Sequence, residues 1–136
     1  MTVPKAVCDV GAAASQAEHG HPIRHGWTVA EPDPDPIRRQ VSGQGGLVDF
    51  MRGARASVGG RSVLALPATA AGGSVSRIVR GFAPGTPVTV GRGDVDMVVT
   101  EYGVADLRDA AVDERAARLV AIAAPAFRDD LTRGLR

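Results

Sequence analysis

The clearest pattern of apolar and polar positions lies near the C-terminus of the chain. Apolar residues recur there at the spacing that places side chains on one face of a helix; they are Val112, Ala116, Leu119, Val120 and Ala123. Pro125 ends this helix, and we expect a short last helix at 126–134, with the arginines of both helices facing solvent. A further helix is predicted at 47–57, because apolar side chains again recur at roughly helical spacing after a glycine-rich turn.

Short apolar runs between these helices predict strands. Residues 63–66 form a run before a proline that is typical of a buried strand, residues 76–82 alternate in part, and residues 88–90 follow a Pro-Gly turn. Residues 95–100 are β-rich, and we expect a helical turn after them at 104–107. Because helices and strands alternate along the chain, the sequence predicts an α/β fold, and it shows no internal repeat.

The first part of the chain has a different composition. It holds all three histidines, the single tryptophan and the single cysteine, and it ends in Glu31-Pro32-Asp33-Pro34-Asp35-Pro36. Proline removes a backbone donor and restricts the residue before it, so this run cannot form a helix interior or a central strand. We therefore expect residues 1–39 to be a disordered or irregular segment and residues 40–136 to form the folded domain.

Composition and charge exclude several classes of function. A chain of 136 residues is the size of one domain, and 44% hydrophobic with 23% charged residues is typical of soluble globular proteins. The net charge of +1, with the two signs interspersed, predicts no nucleic-acid partner and no membrane partner. The single cysteine, Cys8, allows no internal disulfide, and no signal peptide is recognisable, so we expect a cytoplasmic protein.

Two glycine-rich stretches are candidate ligand sites. Gly43, Gly45 and Gly46 precede the first predicted helix, where exposed amides bind anions and can stabilise the oxyanion formed when a thioester is attacked. The alternative for this stretch is a plain structural turn. Gly72 and Gly73 follow a predicted strand, beyond whose end ligands commonly bind in open α/β sheets, and the alternative there is a simple connection.

Other candidate groups favour structural interpretations. Glu101 follows an apolar strand, where a carboxylate could be partly desolvated and reactive, but a structural hydrogen bond or a salt bridge to an arginine is the interpretation we favour. The histidines at positions 19, 21 and 25 could ligate zinc together with Cys8. Their spacing matches none of the usual zinc patterns, so we predict no metal site.

Four blocks of the chain resemble the acetyl-CoA hydrolase/transferase family, which includes relatives of 4-hydroxybutyrate and succinyl-CoA:acetate CoA-transferases. Residues 40–50 resemble the signature VSGxGGxxDF of this family. The other blocks follow in the family's order at residues 66–79, at residues 98–108, and in the helix that leads to residues 125–128. Because the blocks keep their order over most of residues 40–131, the resemblance is specific to the C-terminal domain of the family.

The resemblance implies half of a Rossmann-like CoA-transferase fold, in which two similar α/β halves form the active site between them. It implies that a glutamate attacks the acyl-CoA thioester, giving an acyl-glutamyl anhydride and then a glutamyl-CoA thioester. In the hydrolases water takes the acyl group instead. Coenzyme A and acyl-CoA would then be substrates, together with a small carboxylate, and no permanently bound cofactor is implied.

Particular residues acquire roles through the resemblance. The backbone amide of Gly46 would be the catalytic oxyanion donor, and Gly43, Gly45, Gly46 and Gly72 would bind coenzyme A. The nucleophilic glutamate of the family belongs to a segment upstream of the glycine turn. The glutamates at positions 18 and 31 lie in nothing that resembles that segment, so the nucleophile is expected to be absent.

Three departures from the family pattern accompany this absence. Ala71 stands where the family has a lysine positioned to contact coenzyme A, and Asp109 stands where a glycine is usual. Residues 124–127 read Ala-Pro-Ala-Phe where the family has His-Pro-Asp-Phe. The first hypothesis is a domain that acts with a separate glutamate-bearing half, or as a homo-oligomer. The alternatives are a degenerate gene fragment and a non-catalytic CoA-binding or protein-interaction module.

Overall fold

A computed structural model describes residues 23–24, 28–30, 46–81 and 88–133 of the chain. The helices in these ranges are α1 (Leu47–Ala56), α2 (Val112–Ala121) and α3 (Pro125–Arg133). The strands are β1 (Ile23–Arg24), β2 (Thr28–Ala30), β3 (Val63–Ala65), β4 (Thr69–Ala70), β5 (Val75–Ser76), β6 (Ile78–Val79), β7 (Val88–Gly91), β8 (Met97–Thr100) and β9 (Gly103–Asp106). A short 3₁₀ turn, Ala71–Gly73, joins β4 to β5. This mixture of helices and strands confirms the predicted α/β class.

The strands form three sheets. A four-stranded sheet has the order β6-β1-β2-β7, a three-stranded sheet has the order β3-β8-β9, and β4 and β5 form a separate hairpin. Strands β3 and β8 are parallel, whereas β8 and β9 are antiparallel. All the predicted helices are confirmed, as are the predicted strands at residues 63–66, 88–90 and 95–100, with ends shifted by a few residues.

The helical turn predicted at residues 104–107 is wrong, because this segment is strand β9. Gly103 has a φ of 140°, a left-handed value that favours glycine, and it directly follows the turn after β8. Val104 and Asp106 are exposed while Ala105 is buried, which is the alternation of a strand. Pairing with β8 satisfies the backbone of this segment, and the local sequence does not reveal that partner.

Strands β1 and β2 were not predicted from the sequence. They lie within residues 1–39, yet β1 pairs with β6 and β2 pairs with β7, beyond residue 40. These strands therefore belong to the same sheet as the rest of the domain. The other residues of 1–39 lie outside the described residues, and the domain boundary at residue 40 stays a prediction.

Helix α2 covers one face of the three-stranded sheet. Leu119 and Val98 are completely buried in the shared core, and Ala105 is 2% exposed. The hydroxyl of Thr100 donates to the Ile122 carbonyl at 2.6 Å, which ties the end of β8 to the end of the helix. The amphipathic pattern in the sequence thus identified the helix face that forms the core.

Arg115 is an exception to the prediction that the arginines of the last helices face solvent. It is 8% exposed, and its guanidinium donates to the carbonyls of Leu107 at 2.5 Å and Arg92 at 2.9 Å. Burial, followed by the nearby charge of Arg92, lowers the pKa of Arg115. This arginine is therefore part of the packed structure and holds the segments that carry the two carbonyls.

The buried carboxylate of Asp96 joins four parts of the fold. Asp96 is 1% exposed and accepts hydrogen bonds from the Ser62 amide at 3.0 Å and from the Arg108 guanidinium at 2.7 and 3.1 Å. Arg55 of α1 approaches the same carboxylate at 3.1 Å. Arg108 also donates to the Gly60 carbonyl at 3.1 Å. The helix α1, the start of β3, the start of β8 and the end of β9 therefore meet at one charge.

Hydrogen bonds and charge outweigh burial at Asp96. Burial alone would raise the pKa of this carboxyl. The hydrogen bonds from Arg108 and Ser62 and the charges of Arg55 and Arg108 together lower the pKa by more than burial raises it. The net effect is a pKa below the ordinary value of an aspartate. The carboxylate is therefore charged in the folded protein at neutral pH and stabilises the fold in that form.

We expect Asp96→Asn to lower the free energy of unfolding by about 2–4 kcal/mol, because an uncharged amide leaves two guanidinium groups without their carboxylate. The measurement is urea unfolding at pH 7. Asp94→Asn is the matched control, since Asp94 pairs with Arg52, whose side chain is 65% exposed, and exposed ion pairs contribute little. Equal effects of the two substitutions would contradict the special role of Asp96.

Protonation of Asp96 at acid pH should also lower the free energy of unfolding. Because its folded pKa lies below that of the unfolded chain, its contribution is fully present above about pH 4 and is lost as the pH falls through the folded value. Urea midpoints measured between about pH 2 and pH 7 should therefore decline less steeply in Asp96→Asn than in the wild type. Parallel curves for the two proteins would contradict this assignment.

Candidate functional site

Gly46 lies directly before helix α1. Its φ of −89° is an ordinary right-handed value, so the backbone conformation does not require glycine. A Cβ at this position would lie 3.2 Å from the Phe50 ring, which is itself 64% exposed. Phe50 donates its amide to the Gly46 carbonyl at 2.9 Å and so begins the helical ladder. Glycine here leaves the backbone accessible beside an aromatic ring.

The first turn of α1 carries no side-chain cap. The amides at a helix N-terminus have no partner within the helix and can bind an anion or a developing negative charge. Asp49 in the same turn opposes an anion through its own charge. The predicted partners Gly43 and Gly45 lie outside the described residues. The chemistry that this end of the helix offers is thus hydrogen-bond donation from the backbone.

The second predicted site is the hairpin of β4 and β5. Thr69 pairs with Ser76 and Ala70 with Val75, and the 3₁₀ turn reverses the chain between them. Three consecutive residues of this turn have left-handed φ values, 49° at position 71, 65° at 72 and 93° at 73. The turn is exposed to solvent. Its backbone groups are therefore accessible to a ligand.

Conformation, and not space, explains the glycines of this turn. A Cβ on Gly72 or Gly73 would meet nothing within 4 Å, but both have φ values that side chains disfavour. Ala71 adopts the same left-handed region without being glycine, at a cost of about 1 kcal/mol. The family lysine that Ala71 replaces would stand at this exposed, strained position.

Glu101 and Arg77 hold the base of the hairpin. The Glu101 carboxylate accepts a hydrogen bond from the Ala68 amide at 2.8 Å. Arg77 donates its own amide to the Ala68 carbonyl at 2.9 Å and its Nε to the Thr69 carbonyl at 3.1 Å. The structural hydrogen bond predicted as the favoured role of Glu101 is confirmed.

Arg77 was not identified as a candidate in the sequence. It is 7% exposed, and its Nη1 is buried with no hydrogen-bond partner. No ion pair joins it to a carboxylate within the ranges that the structure describes. The signal that could have found it is a charged residue between the apolar positions of residues 75–79. A buried donor without an acceptor costs about 1–3 kcal/mol, so this atom marks an incomplete environment.

The possible zinc ligands are the remaining candidates from the sequence. The histidines and the cysteine considered as zinc ligands lie outside the described residues, and within the described ranges no group of three or more histidine, cysteine or acidic side chains could hold a metal. None of the helices described is long and apolar enough to cross a membrane.

The segment from Thr100 to Asp109 contacts both the hairpin base and the core. Glu101 binds the hairpin base, Arg108 binds Asp96, and Leu107 is 1% exposed in the core. Asp109 has a left-handed φ of 56°, which accounts physically for the glycine that is usual in the family at this position. The block therefore has an architectural role in this structure.

Comparisons with known proteins identify the family of the chain. Residues 35–135 match the family described as the acetyl-CoA hydrolase/transferase C-terminal domain. The chain therefore belongs to the acetyl-CoA hydrolase/transferase family and contains its C-terminal domain. Similar solved structures include RipA from Yersinia pestis, with a TM-score of 0.69, 40% identity, and coverage of 83% of this chain and 23% of that chain. The predicted CoA-transferase fold is thereby confirmed.

Two relatives are 50% identical to the chain over the residues that match. The succinyl-CoA:cyclohexane-1-carboxylate CoA transferase of Geobacter metallireducens is 50% identical over 97 residues, which cover 71% of this chain and 22% of the relative. The 4-hydroxybutyrate coenzyme A transferase of Clostridium kluyveri is 50% identical over 93 residues, covering 68% of this chain and 22% of the relative. The chain thus spans about a fifth of the length of these relatives.

We expect Ala71→Gly to raise the free energy of unfolding by about 0.5–1 kcal/mol, because it removes the Cβ from a left-handed residue and loses no packing. Ala70→Gly is the matched control. The φ of Ala70 is −128°, so glycine there adds only flexibility to the unfolded chain and should destabilise the fold. Urea unfolding of both variants checks the prediction, which fails if they change stability in the same direction.

Proposed function

We propose that this chain is the coenzyme A-binding C-terminal portion of an acyl-CoA:carboxylate CoA-transferase or an acetyl-CoA hydrolase. The observation that carries the proposal is the family match over residues 35–135, together with the uncapped N-terminus of α1 that follows Gly46. The proposal includes a folded domain at residues 40–136 and a cytoplasmic location, which fits a chain whose single cysteine allows no internal disulfide.

In this proposal the Gly46 amide stabilises the transition state. A glutamate carboxylate from the portion that the relatives have outside the matched segment attacks the thioester carbonyl. The carbonyl oxygen becomes negative, the carbon–sulfur bond breaks, and coenzyme A leaves as a thiolate, so that an acyl-glutamyl anhydride forms. An amide donor aimed at the developing oxyanion lowers this barrier, and the uncapped turn supplies such donors.

The remaining steps pass coenzyme A to the acceptor. The thiolate attacks the glutamyl carbonyl of the anhydride, releasing the first carboxylate and leaving a glutamyl-CoA thioester. The acceptor carboxylate then attacks this thioester, and the glutamate regains its charge once the thiolate has taken the new acyl group. In a hydrolase, water attacks the acyl carbonyl of the acyl-glutamyl anhydride, which releases the carboxylic acid, the glutamate and coenzyme A.

The hairpin of β4 and β5 supplies the coenzyme A contact in this proposal. Gly72 presents backbone atoms at an exposed turn, and Gly43, Gly45 and Gly46 form the second contact. The buried Nη1 of Arg77 supports an incomplete site at the base of the hairpin. Ala71 weakens the contact, because an alanine offers no charge to the phosphates of coenzyme A.

We expect calorimetric titration of the chain to detect coenzyme A and acetyl-CoA binding without loss of the thioester. Ala71→Lys should tighten binding about three- to tenfold, because it adds a cation at the exposed turn. Ala71→Gln, which adds length without charge, is the control and should change binding little. Turnover by the chain alone would contradict the proposed absence of the nucleophile and would direct attention to Glu101.

The decisive test is a chimera in which residues 35–135 replace the matched segment of the Clostridium kluyveri enzyme. We expect the chimera to exchange coenzyme A between acyl-CoA and acetate. Gly46→Pro, which removes the amide, should lower its kcat about 100- to 1000-fold, whereas Gly46→Ala should keep most of the activity.

Glu101→Gln serves as a further control in the chimera. The glutamine oxygen can still accept from the Ala68 amide, so activity should persist if Glu101 only positions the hairpin. An inactive Glu101→Gln variant would indicate a nucleophile. A folded chimera that binds coenzyme A without exchange would favour a non-catalytic binding module.

A further inference from the structure

One face of the three-stranded sheet is mainly apolar and incompletely covered; on β9 it also carries the exposed Asp106, opposite Met97. Ala65, Val99 and Val104 are cross-strand neighbours on β3, β8 and β9, and Val63 lies beside Met97. Val104 is 56% exposed, and the other four side chains are partly exposed. We name these five residues the open sheet face.

The opposite face of the same strands is closed. Leu64, Val98 and Ala105 are cross-strand neighbours there, and each is buried in the core beneath α2. The register therefore divides the sheet into one covered face and one mainly apolar face with no complete cover. An alternating strand with a solvated face would carry polar side chains at the second set of positions.

Parallel strands are normally buried on both faces, and they read as continuous apolar runs. Strands β3 and β8 are parallel, and the sequences Val-Leu-Ala and Met-Val-Val-Thr are apolar on both faces. Contiguous exposed apolar surface marks a contact with another polypeptide, a membrane or a ligand, and the parallel strands favour a polypeptide layer. The sequence of these strands therefore implies a second layer that the described residues do not provide.

We infer that the open sheet face docks against the part of a CoA-transferase polypeptide that the relatives have outside the matched segment. The inference rests on the proposed function, because it identifies the partner that completes the site. The matched segment is 22% of the length of each of the two relatives, so most of their polypeptide is available in the same chain to form the second layer. A second copy of this chain would supply only the same segment again.

The test compares Val104→Glu in two settings. In the isolated chain, residue 104 is largely exposed, so the substitution should leave the thermal midpoint unchanged. In the chimera with the Clostridium kluyveri enzyme the face would be buried, and a buried unpaired carboxylate should lower the midpoint by more than about 5 °C. Val58→Glu is the matched control, because Val58 is 101% exposed and should tolerate the charge in both proteins.

Three results would overturn the inference. An unchanged midpoint in the Val104→Glu chimera would mean that the face stays in water. A lowered midpoint in the isolated chain would mean that other residues of this chain cover the face. Sedimentation showing a dimer of the isolated chain that Val104→Glu dissociates would identify a second copy as the partner. These readouts require no catalysis, so an inactive chimera with the expected midpoints would count against the proposed activity alone.

Discussion

The pairing of Asp96 with Arg108, Arg55 and Ser62 is the interaction on which the rest of the domain depends. These groups come from α1, from the residue before β3, from the residue before β8 and from the end of β9. A buried charge is tolerated only where several partners surround it, so the segments must arrive together. The parallel pairing of β3 with β8 is then held at its first residues, and the loops at the other ends of the strands are positioned from this anchor.

The glycine hairpin and the start of α1 expose backbone groups more than reactive side chains. Glu101 and Arg77 hold the base of the glycine hairpin, whose turn has left-handed residues at the tip. Gly46 begins α1 with an uncapped first turn. Such elements offer backbone N–H donors, which the oxyanion role proposed for Gly46 requires.

Much of the candidate site could be read from the sequence, but its physical basis could not. The glycine motifs and the family blocks identified the two loops, and the interpretation of Glu101 as structural was confirmed. Arg77 and Asp96 were missed, because apolar neighbours in the sequence are only a weak sign of burial and the packing that buries both residues involves segments distant in sequence. The left-handed backbone of Ala71 and Asp109 was also invisible until the chain was folded.

The sequence by itself determined the helices, three of the longer strands and the family, because these follow from periodicity and from short motifs. Tertiary structure alone decided that residues 103–106 form a strand and not a helical turn, since pairing with β8 satisfies that backbone. It also decided that β1 and β2 join the sheet. Both outcomes depend on hydrogen-bond partners distant in sequence, and local propensity contains no information about such partners.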